Sequence, residues 1–340
     1  MSIAYIRFAA RGSPPLQRSP LLEWLIARAP DSSLVVDWRA EAFGLLAPPG
    51  TPMPPIATMG LWGSSAATGA APGIAMLGVA TPGVFLAERA PGTNTSAGVW
   101  ACVATPVHLS AGMTQVTFPD DGILQLVGTE ASVLAADFNA VFEGAGVRLM
   151  PGPAGVLFCV FDQALDVATR DPECAVGEDV YGSQPSGCDA GRLRRLMSEM
   201  EMWLFNHAVN QLRVARELPS ITGLWLWGGG ARDVKIPALS VWAAGEDVFF
   251  SRFGTASELP RGPASGVVVL NDCPSSPTWQ EVERRWLQPA LAQLRAGHIA
   301  QIHLSAARRR FTITSGLNLR FWRRTRPWWE AFDMSGDEAI

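Results

Sequence analysis

The chain has 340 residues, 48% of them hydrophobic, enough for a sizeable core in one large domain or two intimate ones. Its 27 basic and 31 acidic residues leave a net charge of −4, so composition gives no global attraction to nucleic acid or to an anionic membrane. The five cysteines, Cys102, Cys159, Cys174, Cys188 and Cys273, are widely spaced and contain no C-x-x-C pair. That excludes a zinc knuckle or a thioredoxin-type dithiol and reads as reduced structural thiols in a cytoplasmic protein.

Met1–Ala10 is apolar without a basic segment before it, so no signal peptide is expected. Pro14–Ala29 reads as a turn and a helix with Leu21, Leu22, Leu25 and Ile26 on one face. Ser33–Trp38 reads as a strand. The charge-free stretch Ala42–Ala87 is too broken by proline to be a membrane helix, and its pieces Ala75–Val79 and Val84–Ala87 read as short buried strands. The middle of the chain has a clearer pattern: strands at Val99–Leu109 and Ile123–Val127, then a helix at Thr129–Glu143 capped by Thr129. Strands at Val147–Met150 and Val156–Phe161 follow. Asp166–Gly187 reads as a loop, after which Asp189 caps a long helix striped by Leu193, Leu196, Met197, Met200, Trp203 and Leu204. The remaining elements are strands at Leu224–Trp227, Leu239–Ala243 and Gly266–Leu270, a helix at Thr278–Arg295, and strands at His298–Ser305 and Arg310–Thr314.

These elements predict an α/β fold: a mixed sheet flanked by helices, with a small β-β-α-β-β subdomain. The expected boundaries are residues 1–98 for the N-terminal part of the core, 99–165 for the subdomain, 166–330 for the rest of the core, and 331–340 for an acidic tail.

The most informative stretch is His207–Gly230. If the long helix continues past Asn206, then His207, Asn210 and Arg213 share one arc. An imidazole, an amide and a guanidinium together bind a small anion, with Arg213 as the planar two-pronged contact. Gly228, Gly229 and Gly230 would offer backbone donors, and Trp225 and Trp227 an aromatic wall. The alternative is architectural: His207 and Asn210 pin a helix end, the glycines make a turn, and the tryptophans are core. The glycines form neither a phosphate loop nor a dinucleotide fingerprint, because no Lys-Ser/Thr and no G-x-G-x-x-G is present.

The line Glu199-Met-Glu-Met-Trp-Leu-Phe-Asn-His-Ala-Val-Asn-Gln-Leu-Arg, with Pro219 and Leu224-Trp-Leu-Trp-Gly-Gly-Gly, resembles the RpfE-type regulatory proteins of proteobacteria. Trp100-Ala-Cys, Pro106-Val-His-Leu and the tail Leu319-Arg-Phe-Trp-Arg-Arg-Thr-Arg-Pro resemble that family too. The H-x-V-N-x-x-R…W-L-W-G core is also similar to one segment of archaeal-type cofactor-independent phosphoglycerate mutases. The first resemblance implies a non-enzymatic regulatory or ligand-sensing protein for a phosphorylated or carboxylated molecule; the second implies a mutase-like phosphotransferase. The mutases need a hydroxyl nucleophile and two divalent metals held by Asp and His. Of the four histidines, His108, His207, His298 and His303, the last two lie in a hairpin candidate not beside acidic residues and His108 ends a strand with no acid nearby, while Asp120-Asp121-Gly122 reads as a turn. No metal, cofactor or catalytic residue is therefore expected. The arginines Arg308–Arg310 and Arg320–Arg326, interleaved with Phe321, Trp322, Trp328 and Trp329, suggest nucleic acid as a further alternative. The competing reading is a solvated arginine face whose aromatics close the core.

Overall fold

The computed structural model describes residues 2–8, 18–62, 100–112, 115–119, 121–152, 155–231, 234, 237, 239–245, 247–254, 256–270, 278–316 and 323–332. The expectations at Ala75–Val79 and Val84–Ala87, and those for Cys273, Trp322 and the tail beyond Phe332, lie outside these residues. In chain order the elements begin with β1 (Ile3–Phe8), α1 (Pro20–Arg28), β2 (Asp31–Leu34), α2 (Trp38–Leu46) and α3 (Ile56–Trp62). Next come β3 (Trp100–Val107), β4 (Ser110–Ala111), β5 (Val116–Thr117), α4 (Glu130–Val141), β6 (Val147–Pro151) and β7 (Leu157–Phe161). They are followed by α5 (Ala190–Phe205), α6 (Ala208–Ala215), β8 (Gly223–Ala231), β9 (Trp242–Gly245) and β10 (Gly266–Leu270). The last are α7 (Trp279–Val282), α8 (Gln288–Arg295), β11 (Gln301–Ala306), β12 (Arg309–Ile313) and α9 (Trp328–Phe332). The fold is mixed α/β, as its sequence pattern predicts, and its contacts divide it into two compact units, 1–53 with 237–340, and 54–236.

The first unit is built on a six-stranded mixed sheet, order β2-β12-β11-β1-β10-β9. β1 pairs in parallel with β10 and β11, while β12 runs antiparallel to β11 and to β2. Strand alternation separates two faces. Ala4, Ile6, Phe8, Ile302, Leu304 and Ile313 enter an apolar core with Leu22 and Leu25 of α1, Trp286, and Trp328 and Phe332 of α9. The opposite face carries Tyr5 in register with His303 and Thr312, and Arg7 in register with Ser305 and Arg310. α2 presents Glu41 to this polar face: Tyr5 Oη donates to Glu41 Oε2 at 3.3 Å, and Arg310 Nη1 lies 2.6 Å from Glu41 Oε1. The Ser33–Trp38 strand expectation is corrected here. The strand ends at Leu34 because the Asp37 carboxylate accepts from the backbone N–H groups of Arg39 and Ala40, turning the chain into α2.

The second unit holds a four-stranded antiparallel sheet, order β6-β7-β3-β8. α4 and α5 cover one face, where Leu134, Phe138, Leu193, Met197, Met200 and Leu204 pack on Cys102, Cys159, Leu224 and Leu226. Two local expectations are corrected. Ile123–Val127 contributes only a single bridge, Ile123 to Val107, and the position beside β3 is filled by β8. Thr129 and Asp189 occupy cap positions without capping. The Asp189 carboxylate instead accepts from the Asp166 N–H, and the lead-in to α4 is tied by Glu130, which accepts from the Val127 N–H.

Candidate functional site

The long helix does not run past Asn206. α5 ends there, and His207, at φ −68° and ψ 141°, starts the separate helix α6 as its N-cap. Its Nδ1 accepts from the Val209 N–H at 3.2 Å. The proton of a neutral ring therefore sits on Nε2, which lies 3.3 Å from Asp137 Oδ2. The Trp203 ring packs edge-on against the imidazole at 4.7 Å.

Asn210 and Arg213 follow on the buried face of α6. The Asn210 amide satisfies both directions at once: Nδ2 donates to the carbonyls of Leu204 and Ile221, and Oδ1 accepts from the Ile221 N–H at 2.7 Å. It thereby ties the end of α5 to the segment that enters β8. Arg213 is 2% exposed. Its Nε donates to the Pro219 carbonyl at 2.8 Å, and its Nη1 to the Gln125 carbonyl and to Glu130 Oε2, the latter at 2.7 Å. A guanidinium buried to this degree needs a counter-charge, and Glu130, itself 7% exposed, supplies it. Its other oxygen, Oε1, is buried without a hydrogen-bond partner.

The structure brings His207, Asn210 and Arg213 together and places the glycines and tryptophans elsewhere. Gly228, Gly229 and Gly230 lie inside β8, not after it. Counted from Gly223 at the strand's start, Gly229 is about 20 Å along. Against β3, the pairs Ala101–Gly230 and Val103–Trp227 leave one extra residue on β8, a bulge that Gly228 closes at φ +63°. A Cβ on Gly229 would sit 2.1 Å from the Trp100 ring, and one on Gly230 would sit 2.2 Å from Pro55. These glycines make room for protein side chains. Trp225 and Trp227 alternate with Leu224 and Leu226, so they face away from α5. Their indole N–H groups donate to the Arg170 carbonyl and to Thr105 Oγ1, and Phe118 packs edge-on against Trp225.

Two features carry no signal in the sequence. Glu130, the partner of Arg213, carried no local signal of that role. His108, without an acid beside it in sequence, lines a cleft of about 480 Å³ together with Asp121 and Glu217. Among the described residues no group of three or more His, Cys, Asp or Glu side chains is arranged to hold a metal ion. None of their helices is long and apolar enough to cross a membrane. The arginine-rich end is divided. Arg310 pairs with Glu41, Arg323 and Arg324 are exposed, and Trp328 is 1% exposed within the first unit's core.

No family model and no curated protein matches the chain. Among solved structures, it is similar to the cofactor-independent phosphoglycerate mutase of Thermoplasma acidophilum at 14% identity and a TM-score of 0.33. That alignment covers 93% of this chain and 90% of the other. A protein of Pyrococcus horikoshii aligns at 11% identity and a TM-score of 0.30, over 92% and 87% of the two chains. Likeness at this level carries no argument about activity.

Proposed function

We propose that this is a non-catalytic regulatory protein of the RpfE type that senses a small phosphate- or carboxylate-bearing molecule and does not turn it over. One observation supports the non-catalytic part. The polar residues of the segment that resembles the mutases are spent on the fold: His207 caps α6, Asn210 joins two segments, and Arg213 is buried against Glu130. A segment used in this way can be retained for architecture without the chemistry of its lookalikes. Arg213 already grips a carboxylate, so an anionic ligand reaches it only by taking the place of Glu130.

The test is a melting series with 3-phosphoglycerate and with sulfate. The wild type should gain a modest rise in melting temperature. Glu130→Gln, whose Arg213 lacks its counter-charge, should start lower and gain more from the same anion. A Glu130→Gln protein that responds no more than the wild type removes Arg213 from the ligand site.

A further inference from the structure

We infer that the polar face of the first unit's sheet, at Ser33, His303 and Arg310, binds a small oxyanion, the carboxylate or phosphate group of a small molecule. This site shares no residue with Arg213 and goes beyond the reading above. Its frame is the register of the strands. Arg7, Ser305, Arg310 and Ser33 form one row across β1, β11, β12 and β2, and Tyr5, His303 and Thr312 form the next row on the same face.

Three atoms in these rows point to a ligand. Ser33 Oγ, His303 Nε2 and Arg310 Nε are buried and have no hydrogen-bond partner among the described residues. Five buried side-chain atoms among those residues lack a partner, and three of them gather on this one face. A buried polar group loses its water and is normally given a partner in return. His303 is 2% exposed and Ser305 is fully buried, so the atoms are set into the fold. Ser33, Arg310 and Thr312 are half-buried residues at the margin of α2, which leaves a way in.

The chemistry of these atoms selects the ligand. A guanidinium N–H only donates, so the group that meets Arg310 Nε must be an acceptor. The guanidinium is fixed from its other edge by Glu41, which also accepts from Tyr5 Oη. His303 Nδ1 lies 3.2 Å from Thr312 Oγ1. When the threonine hydroxyl donates to Nδ1, the ring's own proton sits on Nε2 and makes it a second donor. The Ser33 hydroxyl is the third. Arg7, which donates to Ser305 Oγ and to the Ala307 carbonyl, brings a second guanidinium to the same row. Donors backed by positive charge repel a metal cation and match the oxygens of a carboxylate or phosphate.

An anion here also acts on His303. Tyr5 and Arg7 of β1, Ser305 of β11, Arg310 and Thr312 of β12, and Glu41 of α2 share the ring's face. Burial, with the Arg310 charge, holds its pKa down at about 4. A bound anion favours the imidazolium and raises that value.

The experiment follows the His303 ring resonances of the full chain by NMR during titration with sodium acetate, sodium phosphate and sodium chloride in turn. Acetate or phosphate should give a saturable shift. At saturation the ring's titration midpoint should rise by about one pH unit, equivalent to about tenfold tighter binding to the protonated ring. A response to acetate alone assigns a carboxylate, and to phosphate alone a phosphate group. Arg310→Lys keeps the charge but not the Nε–H, and should weaken the response about tenfold. Ser33→Ala, on an edge strand, should weaken it less while leaving the amide spectrum folded. The inference is overturned if neither anion moves His303, if chloride moves it equally well and an adventitious ion only is present, or if both variants respond as the wild type does. The signal belongs to His303, so its failure leaves the Arg213 test untouched.

Discussion

Replacing His303 should remove a specific acid sensitivity from the first unit. The imidazole is 2% exposed, its Nδ1 lies 3.2 Å from Thr312 Oγ1, and its Nε2 is buried with no hydrogen-bond partner. Tyr5 and Arg7 from β1, Arg310 from β12 and Glu41 from α2 share its face of the sheet, with the Tyr5 ring 6.0 Å away. Burial, reinforced by the Arg310 charge, pushes the ring's pKa down from 6.5 to about 4. In the unfolded chain the same ring protonates first as the pH falls. The native state's advantage is therefore complete above about pH 6.5 and is lost progressively toward pH 4. At about 1.36 kcal/mol per pH unit, the loss over that window is about 3 kcal/mol. Burial also raises the Glu41 carboxyl pKa, which works in the opposite sense, so the quantity to measure is a difference between proteins. Amide exchange along β1 and β11 should be followed from pH 7 to pH 4 in the wild type, His303→Gln and His303→Phe. Opening free energies should fall by about 3 kcal/mol more in the wild type than in either variant. Parallel curves, or a His303 proton-resonance titration centred near 6.5, would show that burial does not hold this ring neutral.

Two further perturbations test the packing. Arg213→Ala should cost about 3–5 kcal/mol, because it leaves the Glu130 carboxylate buried without its counter-charge. Arg213→Met with Glu130→Leu should recover most of that in denaturant titrations, and independent effects of the two sites would contradict the pair. Trp328→Ala should cost about 3–5 kcal/mol, since the ring is enclosed by Phe8, Trp279 and Phe332. Arg323→Gln with Arg324→Gln should change stability by no more than about 0.5 kcal/mol. Loss of a salt-sensitive interaction with DNA in that double variant would favour the nucleic-acid alternative.

Much of the fold is legible in the sequence because it rests on short-range periodicity. The stripe Leu193, Leu196, Met197, Met200 and Leu204 is buried, and the strands around Trp100–Val107 and Leu157–Phe161 sit where apolar runs place them. The candidate site is legible only in part, because its deciding contacts are long-range. Arg213 meets Glu130 across 83 residues, and His108 reaches the Ser220 carbonyl across 112. A glycine run reads as a loop until its neighbours are known. Here Trp100 and Pro55 fill the space that side chains at Gly229 and Gly230 would need, so the run continues a strand. The break between α5 and α6 was hidden for a different reason. The helical periodicity persists through it, and only the His207 cap reveals that two helices are present.

On the proposed reading, the segment that resembles the mutases serves the architecture and not turnover. The most direct measurement is interconversion of 2-phosphoglycerate and 3-phosphoglycerate by the purified full chain supplied with manganese, monitored with and without EDTA. Rates should stay at background and be unchanged by EDTA. Robust turnover that EDTA abolishes, and that manganese restores, would contradict it.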